Sequence, residues 1–293
     1  MKIKHLLVAA LVMIGAVASA ENTIGTIVYN LKDIDGNFKT LHDDGFTSCE
    51  VNWNKKLCTP QLAEQIKKAS KKHQIKVTTV VGVPGHCEWN FTGGPSTIGL
   101  VPSEGREAKV AELKQMIDFC QLAEVPAMHT HFGFIPEDPN SKQYKEFIPA
   151  ITDLAKYAKE RGVMIYFETG QETPTTLIRA IKDSGMDNLG INCDVANLIL
   201  YGKANPVDAI RQFGPLVKEL HAKDGCYPDR ENPYSLGREV PIPTGDVDFP
   251  AVVRELKKNG FTGAYTIEYE LNDGSRDYLV KTRKYLQELI DKE

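Results

Sequence analysis

Short apolar runs rich in β-branched residues alternate with segments of helical periodicity along nearly the whole chain. Eight runs have this character: Ile24–Leu31, Phe46–Trp53, Lys76–Val83, Val125–Phe132, Val163–Thr169, Leu189–Val195, Val217–Ala222 and Gly263–Tyr269. The segments between them space their apolar residues about 3.6 positions apart, as an amphipathic helix does. Strands that are apolar throughout and alternate with helices are typical of a parallel sheet covered by helices.

Two architectures cover a parallel sheet with helices, the open doubly wound sheet and the closed barrel. An open sheet of this kind normally carries a Gly-rich phosphate loop after its first strand, and Tyr29–Lys32 contains no glycine. Eight strand–helix units match the barrel instead. No linker, low-complexity tract or change of composition divides the chain. We therefore predict one α/β domain over residues 21–293, a single (β/α)8 TIM barrel.

The first twenty residues differ from the rest of the chain. Lys2 and Lys4 precede the apolar run Leu6–Val17, and Ala18-Ser19-Ala20 supplies the small residues of a signal-peptidase site. The run is shorter than the roughly 20 apolar residues that span a bilayer. The pattern predicts a signal peptide at residues 1–20. We expect a periplasmic or secreted protein with no membrane segment after the signal is removed.

The charge of the chain argues against a nucleic-acid partner. The formal net charge is −4, and removal of the signal peptide would take two further lysines away. Proteins that bind nucleic acids neutralise phosphates with clustered Lys and Arg, and the sequence contains no basic block of that kind.

Acidic and imidazole side chains collect where the last four predicted strands end, which is where a barrel places its active site. The residues concerned are Glu168, Asp194, His221 and Glu268, on strands five to eight. Buried carboxylates that lie close together repel one another and resist ionisation. A divalent cation would supply the missing charge. Three oxygen donors and one nitrogen suit Mn²⁺, Mg²⁺ or Co²⁺ better than a thiolate-rich structural zinc site.

The segments around these residues resemble the xylose-isomerase-like TIM barrels, which include sugar phosphate isomerases and ketose 3-epimerases. The likeness lies in Phe167-Glu168-Thr169, Cys193–Leu198, Leu220–Gly225, Pro243–Phe249 and Thr266-Ile267-Glu268. The resemblance implies that Glu168, Asp194, His221 and Glu268 bind one divalent metal ion, either Mn, Co, Mg or Zn. It also implies that Glu168 and Glu268 act as catalytic acid and base, that the substrate is a small carbohydrate, and that the chain forms a homodimer.

The chemistry predicted for such a site is proton transfer through a metal-stabilised enediolate. A ketose that binds a metal ion through its carbonyl and neighbouring hydroxyl oxygens has an acidified C–H bond between them. One glutamate would remove this proton. Its return to the opposite face of the same carbon gives epimerisation, and its return to the adjacent carbon gives aldose–ketose isomerisation. The sequence leaves both outcomes open.

Five further residues are predicted to contact the substrate. His131 and Glu50 end strands four and two, and Trp53 lies in a loop at the mouth of the predicted barrel. Lys223 and Arg238 could bind oxygen atoms or an anionic group of the substrate. A structural role is also open for these residues. Glu50 could pair with a lysine, Trp53 could pack in its loop, and Arg238 could be a solvated loop residue.

Three other functions stay open at this stage. Apurinic-site endonucleases share the superfamily, but their multi-zinc sites use many histidines, and this chain has only seven. A lyase or hydrolase on keto-glycosides would use the same enediolate chemistry to expel a leaving group, and export favours it. A non-catalytic sugar-binding barrel would have no need for an opposed pair of glutamates.

Overall fold

The computed structural model describes residues 22–271 and 275–293, and eight of its strands form a closed parallel barrel. These strands are β1 (Thr23–Val28), β2 (Ser48–Asn52), β3 (Lys76–Val81), β4 (Ala127–Thr130), β5 (Met164–Glu168), β6 (Leu189–Asp194), β7 (Val217–Ala222) and β10 (Ala264–Ile267). Each strand pairs with its neighbours in the chain, and β10 closes the barrel by pairing with β1. The predicted (β/α)8 barrel is confirmed. The predicted signal peptide lies outside the described residues.

Helices cover the outside of the barrel. They are α1 (Ile34–Asp43), α2 (Pro60–His73), α3 (Gly94–Thr97), α4 (Arg106–Ala123), α5 (Lys142–Lys159), α6 (Pro174–Ser184), α7 (Val195–Leu200), α8 (Pro206–Phe213), α9 (Phe249–Lys258) and α10 (Arg276–Lys292). Helix α2 begins at Pro60, because the Thr59 hydroxyl accepts a hydrogen bond from the Leu62 backbone N–H and proline is favoured in the first turn of a helix. Within the described residues, no helix is both long and apolar enough to cross a membrane.

The apolar core lies between the barrel and its helices. Phe38, Phe147, Phe213 and Phe249 point inward from four helices and are almost completely buried. Burial of a side chain of this size stabilises a fold by about 1.5–3 kcal/mol. The inside of the barrel is different. There the Thr78 and Thr266 hydroxyl groups donate hydrogen bonds to the buried Glu219 carboxyl group, so a polar interior leads up to the carboxyl ends of the strands.

A short antiparallel ribbon follows β7 and was not predicted. Its strands are β8 (Asp224–Cys226) and β9 (Arg238–Val240). The Asp224 carboxylate accepts hydrogen bonds from the backbone N–H groups of Gly225 and Gly245 at 2.8 Å and of Val247 at 3.2 Å. This one side chain therefore holds the ribbon and the following loop against the end of β7.

Candidate active site

The four residues predicted to bind metal come together at the carboxyl end of the barrel. Glu168 and Asp194 end β5 and β6, His221 lies in β7, and Glu268 follows β10. One potential ligand atom from each lies within 4.8 Å of all the others, and all four side chains are buried. The His221 Nδ1 atom lies 2.9 Å from Glu268 Oε2, 3.2 Å from Glu168 Oε1 and 3.9 Å from Asp194 Oδ2. The register of the parallel strands brings these side chains together. Asp194 and Thr266 both pair with His221, and Glu268 follows Thr266 by two residues, so it points to the same side.

Asp194 shows that a metal ion fits this set. Its Oδ1 atom accepts a hydrogen bond from the Asn197 backbone N–H at 2.7 Å, whereas its buried Oδ2 atom has no hydrogen-bond partner. Burial, together with the charge of Glu268, raises the pKa of the Asp194 carboxyl group well above its ordinary value. A divalent cation would remove both problems, because it would coordinate the free oxygen and offset the clustered negative charge. The donor set of three carboxylates and one imidazole suits Mn, Co, Mg or Zn.

The two glutamates stay ionised despite their burial. Burial alone would raise the pKa of Glu268, but Lys223 and His221 overcome it and lower the value to about 2. Burial likewise opposes ionisation of Glu168, and His131 and His221 hold its pKa well below the usual range. Both side chains are therefore carboxylates at neutral pH, in the form that can bind a cation or accept a proton.

Lys223 is a buried cation surrounded by acids, with only 4% of the residue exposed. Its Nζ atom lies 2.9 Å from Glu270 Oε2 and 3.4 Å from Glu268 Oε2, with Asp194 and Glu239 at 3.9 and 4.0 Å. Burial alone would lower its pKa, and the carboxylates raise it well above the ordinary value. Lys223 therefore stays charged beside the four donors.

A cavity of about 350 Å³ opens directly above the four donors. Glu168, Glu268, Lys223 and His131 all line it, so two of the five predicted substrate contacts lie on its wall. The His131 Nδ1 atom is 3.1 Å from Gln171 Oε1, and its Nε2 atom is 3.4 Å from Glu168 Oε2. The volume is at the small end of the range of ligand pockets, which suits a compact polar molecule.

Three of the predicted substrate contacts lie away from this cavity. Trp53 points outward and packs against Phe119, because side chains alternate along a strand and its neighbour Asn52 takes the inward position. Glu50 points inward but lies two residues deeper than Asn52 and has no solvent exposure. Arg238 lies on the exposed side of the ribbon strand β9.

Several cavity residues were missed by the sequence reasoning. Tyr201 lines the wall from the end of α7, a six-residue helix too short to show a clear periodicity. Glu270 lines it as well, and a signal for it existed, since residues two apart in an extended segment point to the same side and Glu270 follows Glu268. Tyr29 and Asn52 are two further polar residues that line the cavity and that the sequence reasoning did not place there.

A family model described as xylose isomerase-like TIM barrel matches residues 38–289. The chain belongs to the xylose isomerase-like TIM barrel family. Among solved structures, this barrel is 31% identical to a xylose isomerase domain protein from Planctomyces limnophilus, with a TM-score of 0.85 over 93% of this chain and 98% of that one. It shares its fold with an L-ribulose 3-epimerase at 16% identity and a TM-score of 0.71, over 92% of this chain and 95% of that one.

Two further proteins are similar to this chain in sequence. A putative hydroxypyruvate isomerase of Homo sapiens is 22% identical over 274 residues, which cover 87% of this xylose isomerase-like chain and 90% of the relative. An uncharacterized protein of Methanocaldococcus jannaschii is 27% identical over 172 residues, and the match spans only 55% of the length of each.

Proposed function

We propose that this protein is a divalent-metal-dependent enzyme that isomerises or epimerises a small sugar by proton transfer through an enediolate. One observation carries the proposal. Glu168 and Glu268 are two buried acidic side chains that line the same cavity from the ends of β5 and β10, which are separated around the barrel by β6 and β7. Two groups able to exchange protons therefore face one bound molecule from different directions. The names of the hydroxypyruvate isomerase and L-ribulose 3-epimerase relatives agree with this reaction class.

Glu168, Asp194, His221 and Glu268 would hold the metal ion. A bound divalent ion acts as a Lewis acid, which acidifies the C–H bond beside a substrate carbonyl and stabilises negative charge on the substrate oxygens. Asp194 would bind the metal ion without taking part in proton transfer, because one of its two oxygens is held by the hydrogen bond that caps helix α7.

The chain's own residues divide the remaining tasks. One glutamate accepts the proton from the sugar carbon and can return it to the adjacent carbon, which gives isomerisation. For epimerisation the other glutamate would first take up a proton from solvent and then deliver it to the opposite face, while the first releases its proton to solvent. Lys223 lies beside Glu268 and can donate a hydrogen bond to a substrate oxygen, while His131 can do the same from the Glu168 side. Leu200, Leu236 and Trp89 supply apolar wall that limits the access of water to the reacting carbon.

A lyase acting on keto-glycosides is the second candidate, and the mouth of the cavity favours it. Tyr29 and Trp89 line the cavity yet remain 53% and 47% exposed, so aromatic surface extends from the donor set toward solvent. Such surface can pack against a second sugar ring or another leaving group. The same proton abstraction, followed by loss of that group from the neighbouring carbon, would give elimination.

The test combines metal analysis with hydrogen exchange. Metal content is measured for the wild type and for Glu168→Gln/Glu268→Gln, with the exposed Glu160→Gln as control. All three proteins are then incubated in D₂O with a panel of ketoses and keto-glycosides. We expect one divalent ion per chain in the wild type and in Glu160→Gln, and less in the double variant. Deuterium should enter one sugar carbon with the wild type and Glu160→Gln but not with the double variant. An unsaturated product would select the lyase. A metal-free wild type without exchange would contradict the proposal.

A further inference from the structure

A second cluster of polar side chains lies directly beneath the four donors. Glu50, His129 and His221 form it, and none of the three has any solvent exposure. The cavity above does not reach Glu50 or His129, so neither residue can touch a substrate bound there. The cluster shares His221 with the proposed metal site, so Glu50 and His129 can affect that site through His221.

The contacts of Glu50 run toward the donor set. Its Oε2 atom lies 2.7 Å from His129 Nε2, and its Oε1 atom lies 3.1 Å from His221 Nε2. The other nitrogen of His129, Nδ1, lies 3.2 Å from Glu168 Oε2. Glu50 is therefore connected to His221 directly and to Glu168 through the ring of His129.

The geometry does not suit a second metal ion in this lower cluster. The 2.7 Å contact between Glu50 and His129 is a charge-assisted hydrogen bond, and both oxygens of Glu50 and both nitrogens of His129 have partners. The upper set differs, because there the buried Asp194 Oδ2 atom has no hydrogen-bond partner. The cluster is hence a hydrogen-bonded support for the site above it.

Both nitrogens of His221 face carboxylates, but they face different ones. A carboxylate only accepts hydrogen bonds, so without a metal ion Nε2–H donates to Glu50 and Nδ1–H donates to Glu268 at 2.9 Å. A divalent ion among the four donors would replace the proton on Nδ1, because that is the nitrogen that points at the other three, while Glu50 retains the proton on Nε2. An imidazole binds a metal ion through such an unprotonated nitrogen, and the partner of the other nitrogen sets which one that is.

We propose that Glu50 is a positioning residue, which holds His221 in the tautomer and orientation that bind the metal ion through Nδ1. This role differs from the substrate contact expected for Glu50 from the sequence alone. It rests on the proposed function only in requiring that the four donors bind a divalent ion.

Glutamine at position 50 would disturb this arrangement with little change of shape. A Gln amide keeps one accepting oxygen, replaces the other by a donating nitrogen, and removes the negative charge. The new nitrogen faces one of the two Nε2–H groups donor to donor, so that ring loses its partner or must share the remaining oxygen with the other ring. Loss of a partner that orients a metal-binding histidine typically weakens metal binding by about 10–100-fold.

The matched control is Glu219→Gln. Glu219 is the next buried acid below Glu50, and it bonds Thr78 and Thr266 rather than a histidine. Glutamine there keeps an oxygen that can accept from both hydroxyl groups, and it leaves Glu50 in place as the acceptor for both histidines. The control therefore changes the same interior without changing the partners of His221.

The experiment is a titration of the metal-free full chain with Co²⁺, followed by visible absorption. We expect Glu50→Gln to bind about 10–100-fold more weakly than the wild type and Glu219→Gln to bind within about threefold of it. Equal affinity in Glu50→Gln would overturn the positioning role alone. A second Co²⁺ per chain that disappears in Glu50→Gln would overturn it in favour of a lower metal site. A wild type that binds no Co²⁺ would instead remove the proposed function itself.

A second measurement tests the predicted tautomer of His221 in the wild type, so it does not depend on whether Glu50→Gln folds. Two-bond ¹H–¹⁵N NMR of the Zn²⁺-loaded wild type reports which nitrogen of His221 carries the proton. We expect the proton on Nε2 and none on Nδ1. A proton on Nδ1, with Nε2 as the metal-bound atom, would overturn the proposal.

Discussion

At the scale of single residues, Asp194 gives the sharpest test of the metal site. Asp194→Asn keeps the oxygen that caps α7 but removes the charge from a position where burial disfavours it. We expect the metal-free variant to be at least as stable as the wild type. A ligand at about 100 times its Kd stabilises a protein by about 2.7 kcal/mol, and the variant should lose this gain because it loses a metal ligand.

Thermal unfolding with EDTA and with excess Mn²⁺ measures both halves of that prediction. Glu160→Gln serves as the control and should respond to Mn²⁺ as the wild type does. If Asp194→Asn gains as much from Mn²⁺ as the wild type, Asp194 is not a ligand.

Glu172 provides a pH-dependent prediction at the same scale. Both of its carboxyl oxygens are buried without a hydrogen-bond partner, and burial raises its pKa to about 7, although His131 opposes the rise. The folded protein therefore holds this proton at pH values where the unfolded chain has lost it. Ionisation of Glu172 thus destabilises the fold as the pH rises from about 4.5 toward 8, by an amount of about 2–3 kcal/mol.

Glu172→Gln should remove that penalty. Urea unfolding of the metal-free wild type and variant at pH 5 and pH 8 measures the effect, because the difference between the two proteins isolates Glu172 from other titrating groups. We expect the variant to gain about 2–3 kcal/mol relative to the wild type between the two pH values. A difference that is the same at both would show that Glu172 titrates normally.

At the scale of elements, the ribbon β8–β9 depends on Asp224. Asp224→Ala would leave three backbone N–H groups, those of Gly225, Gly245 and Val247, without their acceptor. Each buried unsatisfied donor costs about 1–3 kcal/mol, so the segment should open locally before the barrel unfolds. Hydrogen exchange followed by mass spectrometry should show faster exchange over residues 224–247 and unchanged exchange in β1–β6. Asp246→Ala, which removes only the acceptor of one hydrogen bond from the Tyr227 backbone N–H, is the matched control.

The elements also show why the sequence predicted the barrel but missed the ribbon. Barrel strands are mostly buried, so a run such as Val163–Thr169, which opens with five consecutive apolar residues, stands out from the segments around it. Strands of three residues and the six-residue helix α7 contain fewer than two full periods, which is too few to reveal a pattern. Their conformation is set by contacts distant in sequence, of which the bond from Val247 to Asp224 is one.

The depth of a side chain inside the barrel could not be predicted from the sequence either. Alternation shows that Glu50 and Asn52 face the same side, but not which of them reaches the cavity. The tilt and stagger of the strands decide this, since they place Glu50 beside His129 and His221 and leave Asn52 above them. The four donors escaped this ambiguity because each comes at or near the carboxyl end of its strand.

At the scale of the whole molecule, the compartment in which the protein works determines which substrates the site can meet. We propose that residues 1–20 direct the chain out of the cytoplasm, where phosphorylated sugars are scarce, so that the substrate is a free or glycosidic sugar. The mature protein should then begin at Glu21. Ala18→Arg/Ala20→Arg should block cleavage, because signal peptidase requires small side chains at these two positions.

Fractionation of cells that express the full chain, with mass spectrometry of the released protein, tests this prediction. A mature mass that starts at Glu21 and a non-cytoplasmic fraction are the expected results, and Ser19→Thr, which leaves both small residues in place, should be processed normally. Full-length protein in the cytoplasm would make sugar phosphates available to the site again. In that case the substrate panel would have to include them, while the proton-transfer chemistry of Glu168 and Glu268 would be unaffected, because it depends on the barrel and not on the first twenty residues.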